Sequence, residues 1–205
     1  VVMEDYTIFP DKLISGEDAM ARTFLGLGIA TFHEACRYVH RLPYGYNSDR
    51  DDLMILFKEN KGSCTTKHAV IATLASELDL PIHKKVGIYA MTEKLVTGTG
   101  NILARHALPY LPMVHCFLNC RDHWVDLSEG NHNGKNGPID HFLMTTGVSA
   151  TISAKDEYRL YRQAVKDHIL LRPEMQGIDL KTVLKAREEG LAVLRHNLSQ
   201  PRGAS

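Results

Sequence analysis

The sequence predicts an α+β fold, on three observations. Apolar residues recur at helical spacing over residues 17–40 and again after Ser63. They alternate over Lys85-Val86-Gly87-Ile88-Tyr89-Ala90-Met91 and in two short segments beyond, and helical spacing returns after Asp156. A chain of 205 residues needs no more than one domain to bury a real core. The expectation is a single domain over residues 1–205, with its core over about 17–150 and a helical extension over about 151–205.

Composition narrows the function classes. Apolar residues are 44% and charged residues 23%, ordinary values that argue against a disordered or fibrous chain. Lys plus Arg and Asp plus Glu are both 24, leaving no excess positive charge for a phosphate backbone or an anionic membrane. Apolar runs such as Ile29 to Phe32 and Ile169 to Leu171 fall far short of the ~20 residues that span a bilayer. The opening Val1-Val2-Met3-Glu4-Asp5 is acidic and lacks the basic and apolar regions of a secretory signal. Four cysteines, Cys36, Cys64, Cys116 and Cys120, are too sparse for a disulfide framework and suit a reducing compartment, so a soluble cytoplasmic protein is expected.

The elements follow in order. Residues 17–40 read as one helix, opened by Glu17 and Asp18 near the positive end of its dipole and striped by Phe24, Leu25, Leu27, Phe32, Cys36 and Val39. Leu42-Pro43-Tyr44-Gly45 ends it, because proline cannot continue the ladder. Residues 49–59 read as a short helix or turn, and Asn60-Lys61-Gly62-Ser63 breaks the chain before a new helix at Cys64. Ile71, Leu74, Ala75 and Leu78, widened by Ala69 and Ala72, make that helix apolar on much of its circumference. A strand follows at 85–91. Residues 92–113 read as a long loop, 113–118 and 123–127 as two strands in tight connection, and 156–171 and 180–198 as helices.

Cys64 stands where a helix begins. Unpaired N–H groups and the helix dipole there favour an anion, and a thiolate is the nucleophilic form of cysteine. Gly62 is read as letting a substrate approach the backbone, and the Cys64 N–H as one oxyanion donor, with Tyr44 and Asn47 as nearby polar candidates for another. The competing reading is one more small buried residue, and position alone does not decide between them.

A cysteine nucleophile needs an imidazole, and the imidazole needs an orienting group. The hairpin after Met113 supplies both. A tight connection at Cys120-Arg121 pairs Asn119 with Asp122 and therefore His115 with Asp126, as direct neighbours on one face. Any loop with an even residue count keeps the two on one face, whereas an odd one separates them.

Four segments carry a family resemblance: Gly62-Ser63-Cys64-Thr65-Thr66-Lys67-His68-Ala69, Val86-Gly87-Ile88-Tyr89-Ala90-Met91, His115-Cys116-Phe117-Leu118 and Trp124-Val125-Asp126-Leu127, preceded by Tyr38-Val39-His40-Arg41-Leu42-Pro43-Tyr44-Gly45. Together they resemble a bacterial-type transglutaminase-like domain over roughly residues 26–130. The resemblance implies a papain/transglutaminase-like core, in which a cysteine-bearing helix packs on an antiparallel sheet, with flanking helices at both ends. By it Cys64 matches the nucleophile, His115 the base and Asp126 the orienting acid; that chemistry needs only thiolate, imidazole and carboxylate, so no cofactor and no metal are expected. Thr65 stands where the calcium-dependent transglutaminases carry tryptophan, and an acidic calcium loop is lacking. Hydrolysis or another acyl transfer through a thioester, on a peptide or peptide-like substrate, is therefore favoured over protein crosslinking.

Rival readings are weighed against this one. His68, four residues after Cys64, shares its helical face and is a second candidate base, although no carboxylate in the sequence is evidently placed to orient it. Cys116, Cys120 and His123 have the residue types of a zinc site but lack the distant second pair of a structural one. His33, Cys36 and His40 share a helix face and read as core edge and rim. An inactive binding or scaffolding domain on the same fold is the remaining alternative. The final helices cover the core, restrict the cleft or form a homodimer interface.

Overall fold

The computed structural model describes residues 3–200. Val1 and Val2 of the acidic opening, and residues 201–205 of the expected extension, lie outside them. The protein is α+β. Its strands are β1 (Met3–Glu4), β2 (Ile82–Met91), β3 (Leu111–Cys120), β4 (His123–Val125) and β5 (Phe142–Gly147), in the sheet order β1-β4-β3-β2-β5. Strands β3 and β4 pair antiparallel, and β1 adds parallel to β4. Helices α1 (Ala19–Gly26), α2 (Phe32–Arg41), α3 (Ile55–Glu59) and α4 (Cys64–Glu77) precede β2. Helix α5 (Thr99–His106) lies between β2 and β3, and α6 (Ala154–Ala164) and α7 (Leu180–Ser199) follow β5.

Contacts divide the chain into two compact units. One takes in the described chain up to Val86 together with His115–Asn131 and Thr146–Ser153; the other takes in Gly87–Val114, His132–Thr145 and the chain from Ala154.

In the first unit, α4 is the central element. Cys64 through Ala72, with Leu74 and Ala75, are buried, so the helix is enclosed on nearly all sides, as its alanines require. Phe24, Phe32, Val39, Leu56, Val70, Ile71 and Leu74 form the core with Leu118, Val125 and Leu127 from the hairpin. The single helix expected over 17–40 is two. Leu27 and Gly28 end α1, with Gly28 at φ +75°, and Thr31 restarts the chain as a capping box in which its hydroxyl takes the Glu34 N–H while the Glu34 carboxylate takes the Thr31 N–H.

Lys67 ties α4 to the end of α2. Its side chain is fully buried, and Nζ donates to the carbonyls of His40 and Leu42, 3.1 and 2.6 Å away, which have no acceptor role left within their own helix. Burial pushes its pKa down to about 8, while the charge of Asp126 works the other way.

In the second unit, the stretch expected as loop contains α5, closed by Ala107 in the left-handed region at φ +50°. Helix α5 is joined to α7 by Glu189, which accepts from Arg105 Nη1 at 2.7 Å and His106 Nε2 at 2.9 Å. Gly190 lets α7 approach closely, since a Cβ there would lie 2.5 Å from Leu111 Cδ2 and 3.0 Å from Met91 Cε. The helix expected over 156–171 is α6 followed by a wider π turn, Val165–Ile169, and Pro173–Met175 forms a separate short 3₁₀ turn. Among the described residues, no helix is long and apolar enough to cross a membrane.

Candidate active site

Asn60 in the left-handed conformation, φ +50°, ends α3, and the chain then pairs with the segment after α2: Gly62 N–H donates to Pro43 O and Gly45 N–H to Gly62 O. Ser63 is extended, φ −81° and ψ 175°, and Cys64 is the first helical residue. Its own N–H therefore has no carbonyl partner within α4, and the sulfur sits at the positive end of the helix dipole. The Thr66 hydroxyl accepts the Ser63 N–H at 3.0 Å, closing the turn on the helix side.

Gly62 has a different role from the one expected. A Cβ there would stand 2.9 Å from Leu56 Cδ1 and from Thr66 Oγ1 and 3.1 Å from Lys67 Cγ, so the protein's own side chains fill the space read as an approach for substrate. Asn47 is also reassigned. Its Nδ2 donates to Glu59 Oε2 and Lys61 O, and its Oδ1 accepts from Thr66 Oγ1, which commits the amide to bracing the loop instead of an oxyanion. Tyr44 lies in the segment bridged to Gly62, close along the backbone to Cys64.

The hairpin turns through Arg121, at φ +53°, and Asp122, with Cys120 opposite His123 and Leu118 opposite Val125. This register is displaced from the expected one, so Asp126 does not face His115 directly. The connection still has an even count, which keeps both on one face. Strand β4 ends at Val125, and Asp126 opens a turn in which Ser128 donates its N–H and its hydroxyl to Oδ1, at 2.8 and 2.6 Å. The other oxygen, Oδ2, accepts from His115 Nε2 at 2.5 Å. The structure thus brings His115 and Asp126 together through the residue that leaves the strand.

The Cys64 sulfur meets the His115 ring and both the thiol and the amide of Cys116. Since Nε2 of His115 is engaged by Asp126, Nδ1 is the nitrogen left for the sulfur. Hydrogen bonding from the Cys116 thiol holds the Cys64 thiol well below its ordinary range. Burial opposes this, and the charge and hydrogen bond of His115, then the Cys116 amide, reinforce it. Asp126 is likewise held low: burial works to raise it and is outweighed by the charge and hydrogen bond of His115, with the nearby His68 ring working in the same direction. Cys36, by contrast, is pushed up by burial in the core.

His68 corrects a premise of the sequence reading. It is fully buried, its Nε2 accepts the Leu127 N–H at 2.8 Å and stands 3.3 Å from Asp126 Oδ1, and its ring packs edge-on to His115 with centroids 6.5 Å apart. A carboxylate is therefore beside it, the same one that holds His115. Its Nδ1 has no hydrogen-bond partner. The sequence reading missed this second histidine on Asp126, and also Ser128 and the inward role of Cys116. The Asp-x-Ser spacing of an Asx turn was the available signal for Ser128. Nothing local announces the other two, because each depends on a contact between α4 and residues more than fifty positions away, Cys116 against Thr65 and Leu127 against His68.

Among the described residues, the one group of three potential metal ligands with atoms within 4.8 Å of one another is His115, Asp126 and Glu129. Cys116, Cys120 and His123 do not gather in that way. No family model, no curated protein and no solved structure matches the chain. The class of site is accordingly defined by its own geometry: a buried cysteine at a helix start, bonded to a histidine that a carboxylate holds from behind, in an α+β protein.

Proposed function

We propose that the protein is a thiol-dependent acyl-transfer enzyme or hydrolase, acting on an amide or ester carbonyl of a peptide-like substrate through Cys64, His115 and Asp126, on a papain/transglutaminase-like core. The observation that carries this reading is the chain of contacts from the Cys64 sulfur to His115, and from His115 Nε2 to Asp126 Oδ2. In this reading the thiolate attacks the carbonyl carbon while the Cys64 N–H receives the developing oxyanion. The His115 imidazolium gives its proton to the leaving amine or alcohol as the C–N or C–O bond breaks. Neutral His115 then takes a proton from water, or from an acceptor amine, as that nucleophile attacks the thioester and frees Cys64. Asp126 stays ionised and holds the ring's aim and tautomer. The four free cysteines support a reducing, cytoplasmic setting.

The test is to treat the reduced protein with thiol-directed activity probes and then to screen a peptide, amide and ester library, with Cys64→Ala as the control. Labelling at Cys64 together with turnover that the control lacks supports the reading. Inertness of the folded protein toward all of them overturns it in favour of a binding domain.

A further inference from the structure

Cys116 carries no bond-making or proton-transfer step of the proposed acyl transfer, yet it lies against the thiol that does. Its thiol and its amide both reach the Cys64 sulfur, and Thr65, the next residue along α4, stands with Oγ1 3.6 Å from Cys116 Sγ, within hydrogen-bond reach. The second thiol is thereby pinned beside the first by the helix that carries it. Exposure separates the two: Cys116 is fully buried at 0%, whereas Cys64 keeps 8%. Of the two, Cys64 is the one with any surface open to a small oxidant. Of the remaining thiols, Cys36 lies at 0% exposure within the core, and Cys120 belongs to the same core cluster.

We propose that Cys64 and Cys116 form a peroxide-responsive pair, in which Cys64 is the oxidised thiol and Cys116 the resolving one. As a regulation of the proposed active site it rests on that reading, although its chemistry does not require turnover. The Cys64 thiolate attacks one oxygen of a hydroperoxide; an S–O bond forms, the O–O bond breaks, and the departing alkoxide or hydroxide takes up a proton. The sulfur is now a sulfenic acid, two electrons more oxidised. The Cys116 thiol then gives up its proton and attacks that sulfur; the S–S bond forms, the S–O bond breaks, and water leaves. The disulfide holds Cys64 out of acyl transfer and shields it from the irreversible sulfinic and sulfonic acids. A dithiol reductant returns both thiols by exchange.

The experiment treats the reduced full chain with hydrogen peroxide, alkylates what remains free, and maps the products by mass spectrometry. Non-reducing digestion should yield a Cys64–Cys116 peptide, with the loss of two hydrogens from the intact mass and full reversal by dithiothreitol. In Cys116→Ser, which keeps a hydrogen-bond donor beside the sulfur but cannot form a disulfide, a sulfenic-acid trap such as dimedone should label Cys64 at least tenfold more than in the wild type, with overoxidation following. In Cys64→Ala, Cys116 should stay reduced at the same peroxide dose. A wild-type product that is sulfinic Cys64, or a disulfide through Cys36, Cys120 or a second chain, overturns the proposal. Probe labelling of the reduced protein reports separately on the acyl-transfer reading, so failure of one is distinguishable from failure of the other.

Discussion

The two oxygens of Asp126 have different neighbours, His115 on Oδ2 and the Ser128 N–H and hydroxyl on Oδ1, with His68 alongside. Substitutions at these residues should therefore separate. His115→Ala removes the group that both charges and bonds the sulfur, and acylation should fall by about 10²- to 10⁴-fold. The pH midpoint of Cys64 alkylation by iodoacetamide, well below the ordinary thiol value of 9.0 in the wild type, should rise in that variant. Asp126→Asn keeps the volume and the Ser128 contacts and should lower the rate while leaving the fold intact, with Asp126→Ala the harsher change, as kcat alongside a melting curve would show. His68→Ala should register mainly as stability, about 2–4 kcal/mol from a buried cavity and an orphaned Leu127 N–H, with a smaller loss of rate through Asp126. An alkylation midpoint raised by His68→Ala and unmoved by His115→Ala would assign the base to α4.

At the scale of elements, α4 gathers the site because it is held at both ends of its first turns. Gly62 packs against Leu56, Thr66 and Lys67 with no room for a methyl group, so Gly62→Ala should destabilise by about 1–3 kcal/mol in urea unfolding and blunt Cys64 reactivity with it. Lys67 links α4 to α2, and its pH signature has a definite sign. Its folded pKa of about 8 lies below the ordinary 10.5, so the unfolded chain binds more protons between those values. Its contribution to stability should therefore grow as pH rises from about 8 toward 10.5, and the urea midpoint of the wild type should gain on that of Lys67→Met over that window. A flat difference would show that the ammonium is as well solvated in the fold as outside it.

Much of this scale was legible in the sequence. The burial of α4 followed from its alanines, and the shared face of His115 and Asp126 followed from the parity of a short hairpin. The break between α1 and α2 is not legible there, because the apolar stripe continues through Gly26-Leu27-Gly28 while the helical backbone does not. Helix α5 was hidden among glycines and prolines, and its identity depends on α7 packing beside it.

Across the whole molecule, the described residues offer one candidate metal cluster, and it shares His115 and Asp126 with the proposed triad. If those residues serve thiol chemistry, dialysis against a chelator should leave the melting temperature and Cys64 alkylation unchanged. A loss of both on chelation, restored by added zinc, would assign the cluster to a metal instead. What the sequence determined alone is the α+β class, the helix that starts at Cys64, and the facial agreement of His115 with Asp126, because each depends on residues near in the chain and on periods of 3.6 or 2. The hairpin register, the placement of His68 and Cys116 around the same two side chains, and the filling of the space at Gly62 were decided only by tertiary structure. Each of those depends on which helix face meets which strand, and that is set by the summed packing of a core whose partners lie dozens of residues apart.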